Sequence, residues 1–156
     1  MNALANTDPV KRPGSYVFPD GSSLVRARQL AWTPWAVAGL NFKLLDVDRS
    51  FGKSTLLLNT PDGTTIPAFS QSGAFEMFVE SGQVRFGRGS LGEGDYVFLP
   101  GGSRNAAFEL AARTQLYVIV HGPLRFGDRF IDADWMIDAV AGLAAGDHIR
   151  AVLANA

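Results

Sequence analysis

Short apolar runs alternate with turn-forming residues along most of the chain. Runs of this kind, bounded by glycine, proline, asparagine or aspartate, are typical of β-strands rather than of helices. The spacing of the turns predicts a multi-stranded β domain, with a tight hairpin from Glu80 to Gln83. Seven strands are predicted: Phe42–Asp46, Thr55–Asn59, Ala74–Glu80, Gln83–Phe86, Tyr96–Leu99, Ala106–Leu110 and Gln115–His121.

The C-terminal part of the chain has a different pattern, rich in alanine and without strand alternation. Asp132 or Asp134 can cap a helix that starts at Trp135. The apolar residues that would share one face of this helix are Ile137, Val140, Ala141 and Ala144. Gly146 is predicted to interrupt the helix, which can resume over His148–Leu153.

The composition is that of one globular domain. The chain has 156 residues, of which 47% are hydrophobic and 19% are charged, so a sizeable core can be buried. The net charge of −1 argues against nucleic-acid binding through phosphate neutralisation. No stretch approaches a membrane span, and Met1 to Pro13 carry no signal-peptide pattern. A soluble, cytoplasmic protein that does not bind membranes is therefore expected.

Two residue types limit the possible metal and redox chemistry. The chain contains no cysteine, which excludes disulfides, thiolate catalysis and cysteine-ligated zinc or iron–sulfur sites. It contains two histidines, His121 and His148, so a metal site built on three imidazoles is impossible.

Two glycine-containing stretches resemble nucleotide-binding motifs but lack their context. Gly87 to Gly92 matches G-x-G-x-x-G, yet another turn and a strand follow it instead of a helix. Gly52 to Thr55 resembles the end of a P-loop, but Val47 stands where that motif needs its first glycine. Both stretches are therefore predicted to be turns.

A paired motif gives more specific information. The first half of the cupin motif is a glycine, five residues, His-x-His, three or four residues, a glutamate and a later glycine. This chain has Gly63, five residues, Phe69-Ser70-Gln71, four residues, Glu76 and then Gly82. The spacing agrees, except that the gap from Glu76 to Gly82 is one residue short.

The second half of the motif is a glycine, five residues, Pro-x-Gly, two residues and a histidine. Here Gly94 is followed by five residues, by Pro100-Gly101-Gly102, and after two more residues by Asn105. From about Leu30 to Asp128, the chain thus resembles the cupins similar to 2,4′-dihydroxyacetophenone dioxygenase and acetylacetone-cleaving dioxygenase.

The resemblance implies an all-β, single-domain fold: a jelly-roll barrel (a double-stranded β-helix) with a short C-terminal helix. It divides the chain into an N-terminal arm (1–29), the barrel (30–128) and a helical tail (129–156). A homodimer is also expected, because cupins commonly dimerise and because pairing removes exposed sheet edges.

The resemblance places Phe69, Gln71, Glu76 and Asn105 at the metal-ligand positions inside the barrel. Phenylalanine cannot ligate a metal, and amide oxygens are weak ligands for transition metals. No cofactor is therefore predicted; the alternative is iron or zinc held by an unusual set of Glu76, Gln71 and His121. Whether His121 points inward is left open, because both faces of its strand are apolar.

Without a metal, Glu76 would be a carboxylate in an apolar barrel, with a raised pKa suited to general acid/base catalysis. The residues predicted to bind a small carbonyl substrate are Phe69, Gln71, Phe78, Asn105 and His121. Phe42, Phe78, Phe98 and Phe108 are more typical of a core than of a ligand site.

Three functions remain open on the sequence alone. One is a small-molecule-binding cupin without the usual metal, capable of proton transfer of the isomerase, cyclase or lyase type. Another is a metal-dependent dioxygenase that cleaves a carbon–carbon bond next to a ketone. The third is a noncatalytic scaffold subunit.

Overall fold

The structure, a computed structural model, describes residues 12–144 as a set of short strands followed by one helix, α1 (Ala133–Ala144). The strands are β1 Ser15–Val17, β2 Ser23–Val25, β3 Thr33–Pro34, β4 Asn41–Asp48, β5 Lys53–Thr60, β6 Thr64–Ile66, β7 Phe69–Gln71, β8 Phe75–Ser81, β9 Gln83–Phe86, β10 Gly89–Gly92, β11 Tyr96–Leu99, β12 Arg104–Asn105, β13 Phe108–Leu110, β14 Thr114–Val120, β15 Leu124–Phe126 and β16 Arg129–Ile131.

Three antiparallel sheets enclose one core. The largest has six strands in the order β11-β8-β14-β5-β4-β3. Two four-stranded sheets have the orders β10-β9-β13-β6 and β12-β7-β15-β16, and β1 pairs with β2. Buried residues from all three sheets and from α1 form a single hydrophobic cluster, so the expected all-β barrel with a short C-terminal helix is confirmed.

All seven predicted strands are present with small shifts at their ends, but the predicted hairpin at Glu80–Gln83 is wrong. Strand β8 pairs with β11 and β14, whereas β9 pairs with β10 and β13. Gly82 therefore links two different sheets. Its φ is +87°, and a Cβ there would lie 2.3 Å from Oγ1 of Thr114, so only glycine fits. The hairpin lies instead at Gly87-Arg88, between β9 and β10.

Side-chain alternation decides which face of the six-stranded sheet points into the barrel. On β14, Leu116, Val118 and Val120 are buried, and the alternate residues are only partly buried. We call the face opposite the core the outer face. Phe78 and Phe98 were predicted in the core but are 40% and 54% exposed on this outer face. The core prediction is confirmed for the other two of the four phenylalanines, Phe42 and Phe108.

Helix α1 begins before the predicted start at Trp135. The Trp135 amide donates to Oδ1 of Asp132 at 2.8 Å, which identifies Asp132 as the capping residue. Ala141, predicted on the apolar face, is exposed, and the helix residues that join the core are Met136, Ile137 and Val140. No helix within residues 12–144 has the length and apolar character needed to cross a membrane. The predicted break at Gly146 and the segment His148–Leu153 lie outside the described residues.

Candidate functional site

The six site residues predicted from the sequence do not converge on one site. Three lie on the inner side of the barrel and three on the outer face of the six-stranded sheet. The inner set is Phe69, Gln71 and Asn105, and the outer set is Glu76, Phe78 and His121. The expected convergence of Glu76 with the two amides inside the barrel is therefore wrong.

Strand β8 explains the separation. Its buried residues alternate with partly exposed ones, and Phe75, 2% exposed, points inward where the carboxylate was expected. When three residues instead of four are counted after Gln71, the carboxylate position of the cupin motif falls on Phe75. The gap to Gly82 is then no longer one residue short. That discrepancy was the signal in the sequence that Glu76 lies on the other face.

Aromatic rings occupy the barrel interior around Phe69. The Phe69 ring centroid lies 5.4 Å from those of Phe75 and Phe108 and 5.7 Å from that of Phe126. The Phe108 ring also contacts Phe86 at 5.8 Å. These separations lie within the range of packed aromatic pairs, so the rings fill the space between β7, β8 and β13 with one another.

The side-chain amides of Gln71 and Asn105 form hydrogen bonds with each other and with neighbouring groups. Gln71 is 3% exposed, and its Nε2 donates to the Pro100 carbonyl at 2.9 Å and to Oγ of Ser103 at 2.7 Å. Its Oε1 accepts from Nδ2 of Asn105 at 2.8 Å, and Ser103 Oγ donates to Oδ1 of Asn105 at 3.2 Å. Both N–H donors of Gln71 are therefore used within the protein.

On the outer face, Glu76 accepts two short hydrogen bonds. The Tyr96 hydroxyl donates to Oε1 at 2.6 Å, and Nε2 of His121 lies 2.7 Å from Oε2. The Tyr96 bond first and the His121 bond second hold the pKa of Glu76 below its ordinary value, so the predicted rise in this pKa is wrong. Because an ionised carboxylate only accepts, Nε2 of His121 must donate, which leaves Nδ1 without a proton in the neutral ring.

A depression of about 270 Å³ lies beside this carboxylate. Three aromatic residues form a row across it, because Tyr117 on β14 and Tyr96 on β11 both lie opposite Phe78 on β8. The residues that line the depression are Glu76, Met77, Phe78, Tyr96, Tyr117 and Ile119. Sequence analysis missed Tyr117 because it could not tell which face of β14 is the outer one. It missed Tyr96 because that residue reaches the site only through the pairing of β11 with β8.

The described residues do not bring a conventional set of metal donors together. Within residues 12–144, no group of three or more His, Cys, Asp or Glu side chains is placed to hold a metal ion. The alternative set of Glu76, Gln71 and His121 is also divided. Gln71 bonds to interior partners, while Glu76 and His121 bond to each other on the outer face.

The Tyr96 hydrogen bond makes a testable contribution to acid stability. A lowered pKa in the folded state means that Glu76 contributes stability fully above the ordinary carboxyl pKa of 4.5. This contribution is lost as the pH falls through the lowered value. In Tyr96→Phe, the pKa of Glu76 should rise toward 4.5 in a carboxyl NMR titration, and the loss of stability between pH 7 and pH 3 should become smaller.

The matched control for this change is Tyr16→Phe, which removes an exposed hydroxyl on β1. It should leave the titration of Glu76 unchanged. An unchanged pKa in Tyr96→Phe would show that the hydroxyl does not stabilise the carboxylate.

Comparisons with known proteins identify the fold and the family. Residues 20–125 match the family model described as the ChrR cupin-like domain. A proposed acetylacetone dioxygenase from Methylibium petroleiphilum PM1 is 22% identical, with a TM-score of 0.71 over 77% of this chain and 94% of that one. The acetylacetone dioxygenase of Acinetobacter johnsonii is 19% identical, with a TM-score of 0.62 over 85% of this chain and 89% of that one.

A more distant match is the structure of Rhodobacter sphaeroides SigE in complex with the anti-sigma ChrR, at 16% identity and a TM-score of 0.52 over 61% of this chain and 51% of that one. No curated protein matches the sequence. Because all three structures are less than 25% identical to this chain, they support the fold alone. The family model covers most of the barrel, and the chain therefore belongs to the family of ChrR cupin-like domains.

Proposed function

We propose that this chain is a cupin that binds a small molecule without a metal in its barrel, at the depression beside Glu76 on the outer face. The observation that carries the proposal is the identity of the four inner positions that correspond to the cupin ligands. They hold Phe69, Gln71, Phe75 and Asn105.

The chemistry of these side chains does not fit a catalytic iron or zinc ion. Transition metals in oxygen-activating sites are held by imidazole and carboxylate groups, and phenyl rings supply no donor. The Gln71 and Asn105 amides are neutral oxygen ligands that already bond to each other and to Ser103. A dioxygenase function like that of the acetylacetone-cleaving relatives is therefore less well supported than metal-free binding.

A scaffold role is the other alternative, and the packed interior is compatible with it. What favours a ligand is the outer face, where an ionised carboxylate and three aromatic side chains surround a depression. An apolar, aromatic-lined concavity with a polar group beside it is typical of small-molecule sites. The homodimer and the cytoplasmic location stay predictions.

Metal-independent proton transfer is a second candidate function, favoured by the 2.7 Å pairing of His121 with Glu76. Because the Glu76 carboxylate accepts a hydrogen bond from Nε2, Nδ1 of the neutral His121 ring carries no proton and can act as a base. If this pair is active, the protein should accelerate exchange of the α-protons of butanone with D2O, measured by NMR. His121→Gln and Glu76→Gln should both abolish the acceleration, and equal exchange in all three proteins would contradict this role.

The binding proposal is tested by recording the backbone amide NMR signals with a set of small cationic, neutral and anionic compounds. We expect the signals that shift to belong to β8, β11 and β14 around Glu76. Glu76→Gln should weaken these shifts, and Glu80→Gln, which alters another carboxylate of β8, should not. Shifts centred on Phe69 and Asn105, or none with any compound, would contradict the proposal.

A further inference from the structure

We infer that the depression beside Glu76 is a site for a small organic cation of the alkylated-ammonium class, an assignment that rests on the proposed function. Three observations support it: a row of partly exposed aromatic rings, an anionic group beside that row, and the small size of the depression.

The rings of the aromatic row are partly exposed at the depression. Tyr117, Phe78 and Tyr96 stand directly opposite one another on neighbouring strands, where side chains on one face lie about 5 Å apart. Phe78 is 40% and Tyr96 is 53% exposed, so the core does not cover their rings. The negative face of an aromatic ring attracts ammonium groups, and clusters of such rings bind methylated ammonium ions.

Glu76 adds a negative charge beside the row, since it lies two residues before Phe78 on the same face of β8. Its salt-bridge partner within residues 12–144 is His121, and no lysine or arginine of that range forms an ion pair with it. Among the groups that lower the pKa of Glu76, Lys53 has the smallest effect. Each carboxylate oxygen receives one hydrogen bond, which leaves accepting capacity for a bound cation.

The size and charge of the site limit the class of ligand. Its volume of about 270 Å³ is below the range of about 300–1,000 Å³ found for drug-sized ligands, so a small ion fits best. An anion would be repelled by the carboxylate. A neutral apolar molecule would desolvate this charge without replacing its solvation.

The experiment compares choline with 3,3-dimethylbutan-1-ol, which has nearly the same shape but no charge. The amide signals of β8, β11 and β14 are followed while each compound is added to the wild-type protein. Choline should bind about tenfold more tightly than its neutral analogue. Glu76→Gln, which keeps the side-chain size, should weaken choline binding about fivefold, and Glu80→Gln should leave it unchanged.

Equal affinities for the two compounds at these strands would overturn the cation assignment while leaving small-molecule binding intact. Shifts in the same region with neutral or anionic compounds, but none with choline, would do the same. If no compound of any charge shifts these signals, the proposed function itself fails. Unchanged choline binding in a folded Glu76→Gln protein would remove the role of the carboxylate.

Discussion

Replacing Phe69 by alanine should lower the free energy of unfolding by about 3–5 kcal/mol, the usual cost of removing a buried phenyl group. Phe69 is 5% exposed, and its ring contacts those of Phe75, Phe108 and Phe126. Truncation would leave a cavity among rigid aromatic neighbours, which cannot easily collapse into it. Urea unfolding of the wild type and the variant measures the difference directly.

The matched control is Phe98→Ala on β11, which removes the same ring from a position that is 54% exposed. Its cost should be much smaller, about 1 kcal/mol, because more than half of the side chain stays in water on folding. Similar costs at the two positions would mean that the barrel interior around Phe69 is not packed as the structure indicates.

The second large effect is expected at the link between two sheets. Gly82→Ala should destabilise the protein by more than about 3 kcal/mol, because strain at positive φ and a steric clash act together. A Cβ at this position would lie 2.3 Å from Oγ1 and 2.5 Å from Cα of Thr114, and β14 cannot move away without breaking its pairing with β5.

The same substitution at Gly94 measures the backbone strain without the steric clash. Its φ of +88° is almost that of Gly82, but no atom lies within 4 Å of the position that a Cβ would take. Gly94→Ala should therefore cost only the conformational part, about 1–2 kcal/mol. Equal losses of stability in Gly82→Ala and Gly94→Ala would show that the contact with Thr114 is unimportant.

The strands were predictable because their signal is local. Alternating or apolar runs between turn residues predicted seven strands, and the structure contains all seven, among them β4, β5 and β14. The short strands β7, β12 and β15 have too few residues for any alternation to show. Partner choice is not local either, which is why Gly82 looked like a hairpin turn although it joins two sheets.

The candidate site was only partly predictable, because a shift of one residue moves a side chain to the opposite face of a strand. Counting four residues after Gln71 selected Glu76, whereas the fold places Phe75 inside. The sequence does show that other residues replace the histidines of the cupin motif. The hydrogen bond from Tyr96 to Glu76 could not, because it depends on how β11 pairs with β8.

Whether the barrel is free of metal is tested most directly by the metal content of the purified protein. The protein is first incubated with excess Fe(II) without oxygen, or with Zn(II), and then desalted. Because the inner positions of the barrel carry phenyl rings and amides that bond to each other, the protein should retain only traces of either metal. The contrary result is one tightly held ion per chain that Gln71→Leu abolishes and Glu76→Gln leaves in place. That outcome would locate a functional metal inside the barrel.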